Sequence, residues 1–219
     1  GSTSVERDGL KPRWVCRIGD DPAVVVDKKE PSIACVIMGN LEYRRENMAT
    51  RTPKLILKQC DAEILHEAIK GHEHLARKLN VTVPENYTEF GVEALRYALD
   101  KLSESEDEKG WWTYFPIHQQ DNKLIGSGGY KGGPTLDGTV EIGYEIMPEY
   151  RNRGLATEMT EGLVQNAFND ERVNRIVAHT LGQENASTMV LKKCGFVKTE
   201  ELNEPDEGVI WKWELNRSR

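Results

Sequence analysis

Between Pro148 and Ala156 the hydrophobic period of the chain changes from that of a strand to that of a helix, and no other feature restricts the fold as much. Before the change, Thr139–Met147 alternates in the β manner; after it, Leu155, Met159, Leu163, Ala167 and Phe168 share one face of a helix. At 1.5 Å per residue that helix is about 20 Å long. The join itself reads Pro148-Glu149-Tyr150-Arg151-Asn152-Arg153-Gly154-Leu155-Ala156. A strand feeding a helix through such a loop leaves unpaired backbone N–H groups and the positive helix end pointing outwards, a ready site for an anion such as a pyrophosphate. Gly154 and Ala156 lack bulk, so phosphates can approach the backbone, and Arg151 and Arg153 can add charge-assisted contacts. The loop has no G-K-[ST] and lacks the G-x-G-x-x-G spacing, which excludes a P-loop and a dinucleotide fingerprint. What remains is Arg-x-x-Gly-x-Ala.

The flanks give the order of elements. Leu55-Ile56-Leu57 reads as a strand, and Asp61 is an N-cap for a helix over Glu63–Lys70. Further helical patterns run from Glu73 to Leu79 and from Thr88 to Leu102, the last dissolving in the charged run Ser103–Lys109. Trp111–His118, Leu124–Tyr130 and Thr139–Met147 are three strands joined by turn chemistry, an antiparallel meander. After the long helix come a strand over Arg175–Leu181, a helix over Asn185–Cys194 stopped by Gly195, and strands over Phe196–Leu202 and Val209–Leu215. The expected fold class is α+β: an α/β/α arrangement around a mixed, mostly antiparallel sheet, with a parallel pair formed by the strand–helix–strand unit Thr139–Leu181. Residues 1–47 read differently, as an extension partly derived from cloning, with a hairpin over Ala23–Val26 and Ile33–Met38; the expected domain is 48–219.

Composition removes several functions. The 219 residues carry a net charge of −7 with no basic stripe, which argues against a nucleic-acid partner. No apolar run approaches the ~18 residues of a membrane span, and the start lacks the order of a secretion signal, so the expected location is cytoplasmic. Cys16, Cys35, Cys60 and Cys194 form no C-x-x-C pair, and His72-x-His74 has no third ligand at a metal spacing, so no metal site is expected.

From Lys54 to Leu215 the sequence resembles the GNAT superfamily of acyl-coenzyme A-dependent N-acetyltransferases, especially the branch similar to ribosomal-protein alanine N-acetyltransferases. The resemblance is carried, in order, by Thr52-Pro53-Lys54-Leu55-Ile56-Leu57, by Glu141-Ile142-Gly143-Tyr144-Glu145-Ile146, by Arg151-Asn152-Arg153-Gly154-Leu155-Ala156, and by Glu184-Asn185-Ala186-Ser187 with Lys193-Cys194-Gly195-Phe196. It implies acetyl-CoA as acyl donor and a splayed sheet whose parallel strands separate. The pantetheine then lies between the strand ending at Met147 and the strand Arg175–Leu181, with the pyrophosphate on the Arg151–Ala156 turn. Ile146 and Met147 are the implied backbone contacts, since an arm with two amides can supply the hydrogen bonds that parted strands lack.

The sequence departs from the family pattern at two positions. Glu184 stands where an Asn is usual, with Asn185 one residue later as cap and cofactor contact, and Leu191 stands where a Tyr general acid is frequent, which leaves Ser187, water or solvent as the proton source, with Ser187 the expected one. An alkyl ammonium must lose a proton before it attacks a thioester. Glu141 is the expected base, on one strand face with Glu145, which remains an alternative. His179 reads as a packed strand histidine that could face the same cleft, Trp111, Trp112, Tyr114 and Tyr144 read as core more readily than pocket, and Cys194 as a packed thiol. The function expected is acetyl transfer from acetyl-CoA to a primary amine, a protein N-terminus or a small molecule, in a ternary complex of a monomer or homodimer. The alternative is an acyl-CoA-binding module without turnover.

Overall fold

Period-two alternation in Leu55–Gln59 (β2) hides Leu55 and Leu57 completely, and β2 takes two antiparallel neighbours, Ala49–Arg51 (β1) and Thr113–His118 (β3). The computed structural model describes residues 49–205 and 208–218, so the hairpin read over Ala23–Val26 and Ile33–Met38, with Cys16 and Cys35, lies outside the described residues. Between β2 and β3 the chain makes Ala62–Lys70 (α1), His72–Leu79 (α2) and Gly91–Glu104 (α3). Asp61 caps α1 by accepting the Ile64 N–H at 2.8 Å, and Asn80, left-handed at φ 54, ends α2. The third helix begins at Gly91 rather than at Thr88, because the Thr88 hydroxyl and the Glu89 N–H are given to the carboxylate of Glu145 instead of to a first turn.

Four further strands and two helices follow β3 before the last hairpin: Lys123–Leu124 (β4), Gly126–Tyr130 (β5), Thr139–Ile146 (β6), Leu155–Phe168 (α4), Arg175–Leu181 (β7) and Ala186–Lys193 (α5). Val197–Glu204 (β8) and Gly208–Asn216 (β9) close the chain. The strand expected over Leu124–Tyr130 is broken at Ile125, where pairing with β3 slips between Ile117↔Leu124 and Tyr114↔Gly128. The Ile125 N–H goes to the Pro116 carbonyl at 3.0 Å, and its own carbonyl takes the Met147 N–H at 2.8 Å. Pro116 has no N–H to return, so the ladder bulges there.

Among the described residues the strands form one sheet in the order β1-β2-β3-β5-β6-β7-β9-β8 with β4 beside β3, antiparallel throughout except for the parallel pair β6–β7. Helix α4 lies on one face, where a Cβ on Gly128 would meet Met159 Cε at 2.5 Å and one on Gly162 would meet Leu57 Cδ1 at 2.6 Å. The other face is covered by α1 to α3 and the segment between α2 and α3, with Tyr87 edge-on to Phe115 at 5.6 Å and Tyr97 against Trp112 at 5.5 Å. Helix α5 packs beside α4, where the Cys194 thiol approaches the Thr157 carbonyl. Trp111, Trp112, Tyr114 and Tyr144 are all buried in these two layers of core, which gives them packing roles. Among the described residues no helix is long and apolar enough to cross a membrane.

Candidate active site

The two parallel strands are joined over a short stretch only. Thr139, Val140 and Glu141 of β6 pair with Arg175, Ile176 and Val177 of β7, and the ladder stops there. Beyond it, β6 continues alongside β5 to Ile146, while β7 continues alongside β9 to Leu181. The sheet therefore opens as a V with its vertex at Glu141 and Val177 and its mouth at Met147. Backbone groups along the inner edges of such an opening are a template for an extended ligand carrying amides.

At the mouth stands the anion turn. Pro148–Tyr150 is a single 3-10 turn, Asn152 is left-handed at φ 61, and Gly154 at φ 77 is the N-cap of α4 with no side chain satisfying the first N–H groups. A Cβ on Gly154 would meet nothing within 4 Å, so the approach to the helix end at this residue is open. Arg153 lies over the Tyr150 ring at 5.0 Å, and the Tyr150 hydroxyl donates to Asp121 at 2.7 Å, which fixes the turn against the connection between β3 and β4. Arg151 Nε donates to the Ile146 carbonyl at 2.9 Å, and its guanidinium also pairs with Glu89 at 3.3 Å. A cleft of about 400 Å³, lined among others by Lys54, Gln119, Arg153 and Leu155, opens beside the turn. Cationic side chains, free helix N–H groups and space thus coincide, and these residues fit a diphosphate.

At the vertex, Glu141 and His179 face each other from β6 and β7. His179 Nδ1 lies 2.9 Å from Glu141 Oε1, and Lys131, just past β5, pairs with that same oxygen. All three side chains are largely buried, at 26%, 10% and 7% exposure for Glu141, His179 and Lys131. Burial alone would push the Glu141 carboxyl up, but the His179 hydrogen bond and the Lys131 charge outweigh it and hold it at about 2. Glu141 is a fixed anion.

Glu145, two strand positions further along the same face, is in the opposite condition. It is 4% exposed, accepts from the Thr88 hydroxyl and takes the Glu89 N–H on both oxygens at 3.0 and 3.1 Å. Burial outweighs these hydrogen bonds and raises its carboxyl to about 7. Across the ladder its neighbour is Ser127, fully buried on the same face. Glu145 therefore straps the Thr88–Phe90 segment across the inner strand, between the vertex and the mouth.

Helix α5 borders the β7 side. Asn185 is its N-cap, accepting the Thr188 N–H at 3.0 Å while its own N–H goes to the Thr188 hydroxyl at 3.0 Å. The Thr188 hydroxyl also reaches Glu184, which pairs with Lys192 at 2.6 Å. Ser187 is fully buried in the first turn, and Leu191, at the position of the missing tyrosine, is core. Burial pushes the Cys194 thiol up to about 12, so it is a packed group and not a nucleophile.

The structure thus brings Ile146, Met147, Arg151, Asn152, Arg153, Gly154, Leu155 and Ala156 together at the mouth and Glu141 at the vertex, with Asn185 and Ser187 on the adjoining helix. Sequence reasoning missed Lys131 and the strap residue Thr88, which come to the site through tertiary packing. The Glu141–His179 contact had a signal in the parallel pairing, because alternation from Glu141↔Val177 puts Glu141 and His179 on one face.

Residues 54–197 match the model of the acetyltransferase (GNAT) domain. The chain is 25% identical over 147 residues to the uncharacterized N-acetyltransferase YjdG of Bacillus subtilis (strain 168), covering 67% of this chain and 88% of that one. It is 28% identical over 155 residues to the uncharacterized N-acetyltransferase YoaA of the same organism, covering 67% and 81%. Among solved structures, a ribosomal-protein-S5-alanine acetyltransferase from Vibrio fischeri superposes with a TM-score of 0.59 at 15% identity, covering 78% of this chain and 97% of that one. RimL, a ribosomal L7/L12 alpha-N-protein acetyltransferase in complex with coenzyme A, superposes with a TM-score of 0.56 at 14% identity, covering 77% and 97%.

Proposed function

The chain belongs to the GNAT acetyltransferase family, and from that premise we propose that it moves the acetyl group of acetyl-CoA to a primary amine by direct attack in a ternary complex. The observation that carries this reading is the coincidence of the split between β6 and β7 with a glycine-capped helix end at its mouth. Acetyl-CoA supplies the activated acyl group. The N–H groups of Leu155 and Ala156 and the side chains of Arg151 and Arg153 hold its diphosphate, with Asn152 shaping the turn by its left-handed backbone. The backbone of Ile146 and the amide of Asn185 line the arm, whereas the Met147 N–H is given to the Ile125 carbonyl and its carbonyl takes the Tyr150 N–H.

Glu141 draws the acceptor. A largely buried carboxylate fixed as an anion at the deep end of the cleft attracts an ammonium to the place where it must lose a proton before attacking the thioester. Ser187, at the first turn of α5, is the proton donor for the departing thiolate, and Cys194 forms no acyl-enzyme. Residues 48–219 carry the activity, so a chain lacking 1–47 binds the coenzyme unchanged. The acceptor class suggested by the ribosomal-protein acetyltransferases of like fold is a protein N-terminus; small amines are the other.

The test is release of free thiol from acetyl-CoA with a panel of amines and N-terminal peptides, wild type against Glu141→Gln. Turnover on at least one amine that falls by about 10²-fold or more in the variant, at unchanged coenzyme affinity, supports the reading. Tight coenzyme binding with no turnover on any amine replaces it with an acyl-CoA-binding module.

A further inference from the structure

We propose that His179 Nε2 is the atom that takes the proton from the acceptor ammonium, and that Glu141 and Lys131 act through it as positioning residues. The inference rests on the acetyl-transfer reading and refines where its proton goes. Glu141 presents one carboxylate oxygen to His179 Nδ1 at 2.9 Å, at the vertex where β6 and β7 part. A carboxylate can only accept, so Nδ1 carries a hydrogen, and in the neutral ring Nε2 then presents its lone pair. The same oxygen is clamped by Lys131, which keeps Glu141 anionic and fixes its direction. A carboxylate held at about 2 has little appetite for a proton near neutral pH, whereas the neutral imidazole it orients has a lone pair with which to accept one. The anion orients the ring and stabilises the imidazolium that forms, a carboxylate–imidazole arrangement familiar from other enzymes.

Position supports the assignment. His179 is the next residue on the sheet face after Val177, the last β7 residue in the parallel ladder, so its ring stands at the deep end of the opening. The charged groups around it are Glu141 and Lys131 on the β6 side and, on the other side, Lys212 directly across on β9, whose ammonium is taken by Glu200 of β8 at 2.7 Å and Glu214 at 3.0 Å. Lys212 is thereby engaged by two carboxylates, of which Glu200 also interacts electrostatically with His179, and Glu145 on the same face is occupied by Thr88 and Glu89. In the step, one N–H bond of the ammonium breaks, its electron pair stays on the amine nitrogen, and the proton bonds to Nε2. The imidazolium then returns the proton to solvent.

The test uses the full chain. In ¹⁵N-resolved NMR of the ligand-free protein at pH 8, His179 should appear as the neutral Nδ1–H tautomer, and Glu141→Ala, which removes the acceptor, should abolish that preference. His179→Ala should lower kcat at least about 10²-fold with coenzyme affinity within twofold, and added imidazole should restore at least a tenfold part of the loss. His179→Gln, which preserves a side-chain partner for Glu141, should remain as slow and lose the neutral-range limb of the pH–rate profile. An Nε2–H tautomer, a doubly protonated ring at pH 8, or a His179→Ala enzyme within threefold of wild type overturns the assignment while leaving acetyl transfer standing. A wild type inactive on every amine overturns both.

Discussion

Glu158, in the first turn of α4, and Lys54, at the start of β2, are joined at 2.6 Å, the carboxylate accepting the Lys54 backbone N–H. The same oxygen takes the Thr52 hydroxyl at 2.5 Å and the Leu55 N–H at 3.1 Å. One acidic residue therefore gathers a strand end against the helix whose N-terminus forms the anion turn. In Glu158→Ala these donors lose their acceptor, and hydrogen bonds to a charged group are worth about 1.5–3 kcal/mol. Melting should fall by roughly 3–12 °C at about 2–4 °C per kcal/mol, read by calorimetry, and coenzyme affinity should weaken with it. Glu158→Gln should recover part of both.

Glu145 gives a pH signature. Its carboxyl is raised from 4.5 to about 7 in the folded chain, so between those values the native state holds a proton that the unfolded state has lost. Stability linked to this group is full below about 4.5, declines as pH rises, and is gone above about 7. Glu145→Gln removes the charge while keeping an acceptor for Thr88 or Glu89. Its melting temperature should exceed that of the wild type by a few degrees at pH 8 and match it at pH 5. An equal difference at both values would refute the linkage.

These two carboxylates also mark what could be read from the chain alone. Asp61 and Asn185 were legible as caps and Gly154 as an open helix entry, because each acts on backbone within a turn of itself. The face shared by Glu141 and Glu145 followed from alternation. Their opposite electrostatic states did not, since one depends on Lys131 and His179 and the other on Thr88 and Glu89, all brought in by register and loop packing. The break at Ile125 was hidden for a similar reason: its cause is a proline on the neighbouring strand.

Gly154 separates backbone strain from ligand contact. Its φ of 77 disfavours any side chain, while the space a Cβ would enter is empty. Gly154→Ala should cost about 1 kcal/mol of stability, and a tenfold or greater loss of coenzyme affinity by titration calorimetry would place the diphosphate against this residue. Unchanged affinity would remove Gly154 from the contact. A β-branched replacement is a poorer probe, because its added strain at this φ confounds the two effects.

Asn185→Ala removes the reciprocal cap with Thr188. A helix cap of this kind is worth about 1 kcal/mol, so a fall of roughly 2–4 °C in melting temperature is expected, and Asn185→Asp should restore it. A loss of coenzyme affinity in the Asp variant, at restored stability, would identify the amide nitrogen as the group in contact with the arm.

The short parallel ladder between β6 and β7 has a mechanical consequence. With only Thr139–Glu141 set against Arg175–Val177, the sheet consists of two slabs held by a brief seam and by the packing of α4 against α5. A long, amide-bearing guest wedged into the fissure serves as mortar, converting paired slabs into one stiff wall. Rigidity here is thus lent by the guest and withdrawn when it departs, so amide exchange on the facing edges of Ile142–Ile146 and Ala178–Leu181 should slow when the guest arrives and quicken on its departure.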